Sequence, residues 1–173
     1  DKKSRGIFGE INLKHILVSI FGEKNDNVYR LQYTFGNNTI ADAVIFAPEP
    51  LGTVAIDSKF PLENYQIMVD RNKSQVERTT AEKQFKIDVK KHIDAISDKY
   101  IIPGVTSNQA IMFLPAEAIF SEINAYHSDL VEYAYKRHVW ITSTTTLIST
   151  FTVIQVLLKN IERDKYTSII HDE

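Results

Sequence analysis

The sequence contains no cysteine. Disulfides and thiolate zinc sites are therefore excluded, and the composition fits a reducing compartment. Charge of one sign is not in excess: 20 basic residues stand against 22 acidic ones, for a net charge of −2. That lack counts against a strong general nucleic-acid binder, which carries a basic surplus, although carboxylates gathered at a metal site would offset basic residues elsewhere. There is no glycine-rich loop of the kind that cradles phosphates, which argues against a nucleotide hydrolase. His15, His92, His127, His138 and His171 lack metal-type spacing, and none is assigned a role. Glycine and proline are sparse, and no stretch reads as a linker, a repeat or a low-complexity segment. Residues 1–173 are therefore read as one domain with one sizeable core. The chain opens on Asp1 rather than methionine, so it is expected to be a fragment of a longer protein, with whatever precedes it out of view.

Long apolar runs are also missing, with one exception to clear. Val139 to Leu158 holds no charged residue, a length that could span a bilayer. Serines and threonines crowd its first part, however. The apolar residues Leu147, Phe151, Ile154, Leu158 and Ile161 recur at alternating steps of four and three, the pattern of an amphipathic helix opened by a Ser or Thr cap. The segment is expected to pack on the core, with no direct membrane contact by this domain.

The remaining periodicity is that of a mixed α/β chain. Residues 6–21 read as a helix with Leu13, Leu17 and Ile20 on one face, Glu10 beside them, and Gly22 as its stop. Val28 to Phe35 alternates as a half-buried strand does. Gly36-Asn37-Asn38 turns the chain into a second strand over 39–47, and Pro48 to Gly52 turns it into a third over 53–59. These three strands are predicted to form an antiparallel meander. A long helix follows over about 73–97, striped by Phe85, Val89, His92 or Ile93, and Ile96. Gln109 to Leu114 is nearly all apolar and reads as a fully buried strand. Pro115 is placed as the first residue of the next helix, Ser128 as the cap of another through Tyr135, and Val139 to Ile141 as a short strand.

The chemistry concentrates in Ile40-Ala41-Asp42-Ala43-Val44 and Val54-Ala55-Ile56-Asp57-Ser58-Lys59. Alternation puts Asp57 and Lys59 on the same side of their strand. A hairpin centred on Glu49-Pro50 would set position 42 opposite position 57, provided the prolines do not shift the register, with Cβ atoms roughly 5 Å apart. Two carboxylates that close repel by roughly 3 kcal/mol at an effective dielectric near 20. Bound Mg²⁺ or Mn²⁺ would resolve that conflict, polarise a phosphodiester and lower the pKa of a bound water. Lys59 could orient the water or stabilise charge developing on phosphorus. Glu10 could add a ligand if its helix packs on the sheet.

The order helix with Glu10, strand, strand with Asp42, strand with Asp57 and Lys59, helix resembles the PD-(D/E)XK nuclease core: a restriction-endonuclease-like αβββαβ arrangement with a central mixed sheet flanked by helices. Six blocks carry the likeness further: Gly6-Ile7-Phe8-Gly9-Glu10; Ala41-Asp42-Ala43-Val44; Ile56-Asp57-Ser58-Lys59-Phe60-Pro61-Leu62; Ser97-Asp98-Lys99-Tyr100; Met112-Phe113-Leu114-Pro115-Ala116-Glu117; and Thr144-Thr145-Thr146-Leu147. In this order they resemble the signature blocks of the RmuC family of DNA recombination proteins. The chain departs from that pattern at Ala41 and Thr144, where the family usually or often has proline, and at Phe8, where it usually has tryptophan. No departure removes a charged group.

The resemblance implies a bacterial nuclease-like domain that limits recombination at inverted repeats. It further implies DNA as partner, Glu10, Asp42, Asp57 and Lys59 as active-site positions, and an upstream coiled coil or inner-membrane anchor. Such a segment would hold the domain at the cytoplasmic face and could mediate homo-oligomers. The alternative is a non-catalytic DNA-structure-binding or scaffold module that keeps the nuclease fold.

Simpler roles stand beside these. Glu10 would complement a helix dipole equally well. Asp42 could pair with a lysine, and Asp57 with Lys59 could form a plain ion pair along the strand, worth roughly 0–1 kcal/mol on a surface. Gln32 sits on a polar strand face. Segment 70–91 carries Arg71, Lys73, Arg78, Lys83, Lys86, Lys90 and Lys91, which could track a phosphate backbone or form a mixed solvated face. Lys99 and Tyr100 could touch substrate or simply end a helix, and Glu117 reads as a first-turn acid.

Overall fold

A computed structural model describes residues 1–172. The elements are α1 (Lys2–Phe21), β1 (Tyr29–Thr34), β2 (Ile40–Phe46), β3 (Thr53–Ser58), α2 (Leu62–Met68), α3 (Gln75–Tyr100), β4 (Ala110–Phe113), α4 (Glu117–Tyr126), α5 (Ser128–Lys136), β5 (Val139–Thr142) and α6 (Thr144–Asp172). The strands form one five-stranded sheet in sequence order. β1, β2 and β3 are antiparallel to one another, whereas β3, β4 and β5 run parallel. The αβββαβ core and the mixed sheet are those the sequence predicts.

Helices cover both faces, so each central strand buries alternate residues in two different cores. On one face Val44, Ala55 and Met112 meet Phe85, Val89, Ile93 and Ile96 of α3, with α4 and α5 beside them. On the other, Ala43, Val54, Ile56 and Ile111 meet Leu13 and Leu17 of α1 and Leu147, Phe151 and Ile154 of α6. Burial on both sides accounts for the unbroken apolar run of β4, whose four residues are all buried.

Several boundaries differ from the sequence reading, each for a local reason. α1 begins at Lys2 because the Asp1 carboxylate accepts the Ser4 N–H. α2 is not foreseen at all: it is seven residues long, follows Pro61 and has no side-chain cap. α3 starts at a full capping box formed by Ser74 and Glu77. Pro115 lies outside α4, which begins at Glu117, and Ser128 lies inside α5, whose cap position is His127. Ser143 does cap α6, receiving the Thr146 N–H on its Oγ. Leu147, Phe151 and Ile154 of α6 are buried, but Ile161 is exposed, because the helix outruns the sheet beyond Leu158. Hydroxyls of Ser149, Thr150 and Thr152 donate back to carbonyls four residues earlier. Among the described residues no helix is long and apolar enough to cross a membrane.

Candidate active site

The β2–β3 hairpin is centred between Glu49 and Pro50, since Phe46 pairs with Thr53 and Ala43 with Ile56. The paired register ends at Ala43 and Ile56; counted one step further it leads to Asp42 and Asp57, and the two are close enough for the Asp57 charge to act on the Asp42 carboxyl. Asp57 shares the face of Ala55, which α3 covers, and lies near the carboxyl end of β3; β2 changes face around Asp42, since Ala41 joins the α3 core and Ala43 the opposite one. The prolines of the turn leave the predicted register intact. Asp57 is buried and Asp42 is half-buried.

Three polar contacts hold the acids in place. The Ser58 N–H donates to Asp42 Oδ2 at 2.8 Å, so β3 spends a backbone donor on the neighbouring carboxylate. Lys59 Nζ lies 2.8 Å from Asp57 Oδ2. The Lys59 N–H donates to the Phe113 carbonyl and fixes the lysine backbone beside β4. Burial, and next the charge of Asp57, push the Asp42 carboxyl up to about 7; Glu10 pushes in the same direction, and the Ser58 N–H opposes them. Near neutral pH the Asp42 carboxyl therefore keeps a proton part of the time.

Glu10 is placed differently. It is exposed on α1, at the edge of the stripe formed by Gly9, Leu13 and Ile16, and it reaches Asp42 through its field. Among the described residues no three acidic or histidine side chains come together closely enough to hold a metal ion. The expected three-carboxylate set is therefore an Asp42–Asp57 pair with Glu10 at its margin. What brings Glu10 this near is Gly9, whose missing side chain lets α1 rest on the end of β3: a Cβ there would lie 2.0 Å from Ser58 Oγ.

Two residues near the acids were given no role or an open one from sequence. His92 on α3 is half-buried near Lys59; burial first, and then the Lys59 charge, lower its imidazole to about 4, so the ring is neutral at pH 7. Its signal was a position next to Ile93 at the margin of the α3 stripe. Tyr100 is buried and donates its hydroxyl to the Ile40 carbonyl at 2.8 Å, tying the end of α3 to the start of β2. Burial and the charges of Asp57 and Asp42 push its hydroxyl well above the usual phenol range.

The other residues considered fall outside the acid pair. Gln32 is exposed, with a left-handed φ of 47° where the β1–β2 register passes Asp42. Lys99 is exposed, and its carbonyl accepts from Asn37. Glu117 accepts the Thr145 N–H at 3.2 Å and its hydroxyl at 2.9 Å, which makes it a cap for α6 and lowers its carboxyl. On α3, Lys86 pairs with Asp129, Lys90 lies over the Tyr133 ring, and the Arg78 guanidinium donates to the Met68 carbonyl.

A cleft of about 390 Å³ opens beside Lys59, between the first turns of α1, the Phe60-Pro61 segment, α2 and α3. The larger cavity, about 510 Å³, lies along β5 among Gln109, Tyr135 and Trp140, away from the acids. The smaller one contains Lys59 and His92, whereas Asp42, Asp57 and Glu10 are not among its lining residues.

Across residues 1–173 the chain matches the model of the RmuC family. It is similar to a DNA recombination protein RmuC homolog of Xylella fastidiosa, 33% identical over 137 residues that cover 69% of this chain and 28% of that protein. Proteins of the same name from Vibrio cholerae (25% identity, 98% of this chain, 34% of that protein) and Haemophilus influenzae (29%, 86% and 34%) also match. The chain spans about a third of the length of these relatives. No solved structure gives a significant match.

Proposed function

The chain belongs to the RmuC family, and from that premise we propose that it is a divalent-metal-dependent nuclease domain acting on DNA during recombination. The observation that supports this reading best is the closeness of the Asp42 and Asp57 carboxyls, with Lys59 2.8 Å from Asp57. Two close carboxylates, with no nitrogen or sulfur donor between them, suit a hard cation such as Mg²⁺ or Mn²⁺ that keeps several of its waters. Asp42 and Asp57 would hold the ion, and Glu10 would assist from the margin. When bound, such an ion polarises a phosphodiester and acidifies a water.

The chain's own groups do the rest. The Ser58 N–H holds one oxygen of the Asp42 carboxyl in place. Lys59 places a cation where negative charge grows on the phosphorus oxygens. His92, neutral at pH 7, adds no competing charge beside Lys59. The test is cleavage of branched and hairpin DNA with Mg²⁺ or Mn²⁺. Lys59→Ala is expected to abolish cleavage while leaving the circular dichroism spectrum unchanged, and equal cleavage by both proteins would refute the reading.

A second reading has its own support. Lys59 already neutralises Asp57, and the acids do not form a three-ligand cluster among the described residues. On that reading the domain grips DNA structures without cutting them. It predicts salt-sensitive DNA binding and no turnover with any divalent ion.

A further inference from the structure

The cleft beside Lys59 contains more positive charge than the fold uses. Lys2 and Arg5 reach it from the first turns of α1, and Lys91 from α3. Among the described residues none of the three takes part in an ion pair. The acids in the same wall offset them only in part: Glu63 and Asp88 stand against Lys2, Arg5, Lys59 and Lys91, Glu63 is exposed, and the Asp88 oxygens accept from the Asn64 and Gln84 amides rather than from a cation. Cations brought together from separate elements repel unless an anion joins them. The aromatic wall matters equally. Phe60 lines the cleft and is backed by Phe8 at a ring distance of 5.9 Å. At about 390 Å³ the space is in the size range of small-molecule sites, with room for one nucleotide rather than for a duplex.

We propose that this cleft is a subsite for a single nucleic-acid strand, in which Arg5, Lys91 and Lys2 hold the phosphate next to the one at Lys59 and a base stacks on Phe60. A base held in a duplex has no free face to offer an aromatic wall, whereas single strands are bound through such stacking in a basic groove. The assignment deepens the nuclease reading and rests on it only for naming Lys59 as the point of cleavage; occupancy of the cleft itself needs no metal.

The test is fluorescence anisotropy of the chain with a short labelled oligodeoxythymidylate and with a blunt hairpin duplex, in EDTA, across a salt series. Arg5→Gln with Lys91→Gln is expected to weaken single-strand binding by roughly tenfold. Each lost phosphate contact should flatten the dependence of log Kd on log salt by about 0.7. Phe60→Leu should weaken binding without changing that slope. Lys83→Gln, an exposed cation of α3 outside the cleft, is the control and should bind as the parent does. Unchanged binding by the Arg5/Lys91 variant, an equal loss in the Lys83 control, or tighter binding of the duplex through the same residues would each overturn the assignment. Since no metal is present, such a result would leave the cleavage test of Lys59 untouched, and failure of that test would leave this one standing.

Discussion

Gly9→Ala is the sharpest single perturbation that this packing allows. The added Cβ would stand 2.0 Å from Ser58 Oγ and 3.0 Å from Ser58 Cβ, against the 3.4 Å or more of ordinary contact. If the serine hydroxyl rotates away, the second overlap persists, and α1 must still retreat by about 0.4 Å; without that rotation it retreats by about 1.4 Å. Overpacking of this kind costs about 1–3 kcal/mol. Alanine recovers up to about 1 kcal/mol over glycine inside a helix. The net loss should lower the Tm by a few degrees and leave the chain folded.

Function should suffer more than stability, because Glu10 is the next residue and moves with the helix. A misplacement of about 1 Å near reacting groups can cost about a hundredfold in rate. Calorimetric titration with Mn²⁺ and DNA cleavage should both decline in Gly9→Ala. The clashing atoms belong to the Ser58 side chain, so adding Ser58→Gly should restore Tm, metal affinity and turnover together. If the effect runs through Glu10, Glu10→Gln placed on top of Gly9→Ala should add little. A Gly9→Ala protein indistinguishable from its parent, or a double variant no better than the single one, would show that this contact does not set the site.

Three further outcomes are expected. The Asp42 carboxyl, raised from 3.8 to about 7, favours the folded state while protonated, so the metal-free chain should lose stability as pH rises from about 4 through about 7. Urea melts across that window should be flatter for Asp42→Asn, and an unchanged slope would contradict the burial argument. The His92 ring, lowered from 6.5 to about 4, stabilises the fold above pH 6.5 and loses that contribution as pH falls toward 4. Its imidazole resonance should show no titration near 6.5, and Lys59→Ala should raise its midpoint. Glu117→Ala removes the acceptor for the Thr145 N–H and hydroxyl and should cost about 0.5–2 kcal/mol by urea denaturation, as lost caps do. A change below a few tenths would mean that Ser143 caps α6 alone.

Much of this was legible in the sequence, because the informative patterns were local. β2 and β3 are joined by a turn whose centre follows from its length, and the pairs from Phe46 with Thr53 to Ala43 with Ile56 fall where counting from that centre puts them. The α3 stripe of Phe85, Val89, Ile93 and Ile96 follows from helical period alone. What was not legible depends on contacts between distant segments. Glu10 was placed beside Leu13, but the depth of that side of α1 is set by Gly9 meeting Ser58, a contact that spacing cannot show. Arg5 and Lys2 belong to a first helical turn that the apolar pattern does not mark, since Asp1 alone starts it. His92 needed Lys59 for a neighbour before its neutrality could be inferred. The basic run of 70–91 looked like one track, whereas the fold commits Lys86, Lys90 and Arg78 to other partners and leaves Lys91 facing the cleft.

The ion pair between Lys59 and Asp57 separates the catalytic reading from the binding one, though not in the obvious direction. The Lys59 side chain is 29% exposed and that of Asp57 8%, so water reaches the amine and weakens the pair, while the acid stays largely desolvated and only partly compensated. A divalent ion meeting two close carboxylates has far more to gain than that contact opposes. Removing Lys59 should therefore tighten Mn²⁺ binding, by taking away a competing cation, while it abolishes cleavage. A non-catalytic module would show the tighter binding with no cleavage to lose. Weaker Mn²⁺ binding in Lys59→Ala would mean that the lysine holds the acids in place rather than competing for them, and the assignment of Asp42 and Asp57 as a preformed ion site would fail.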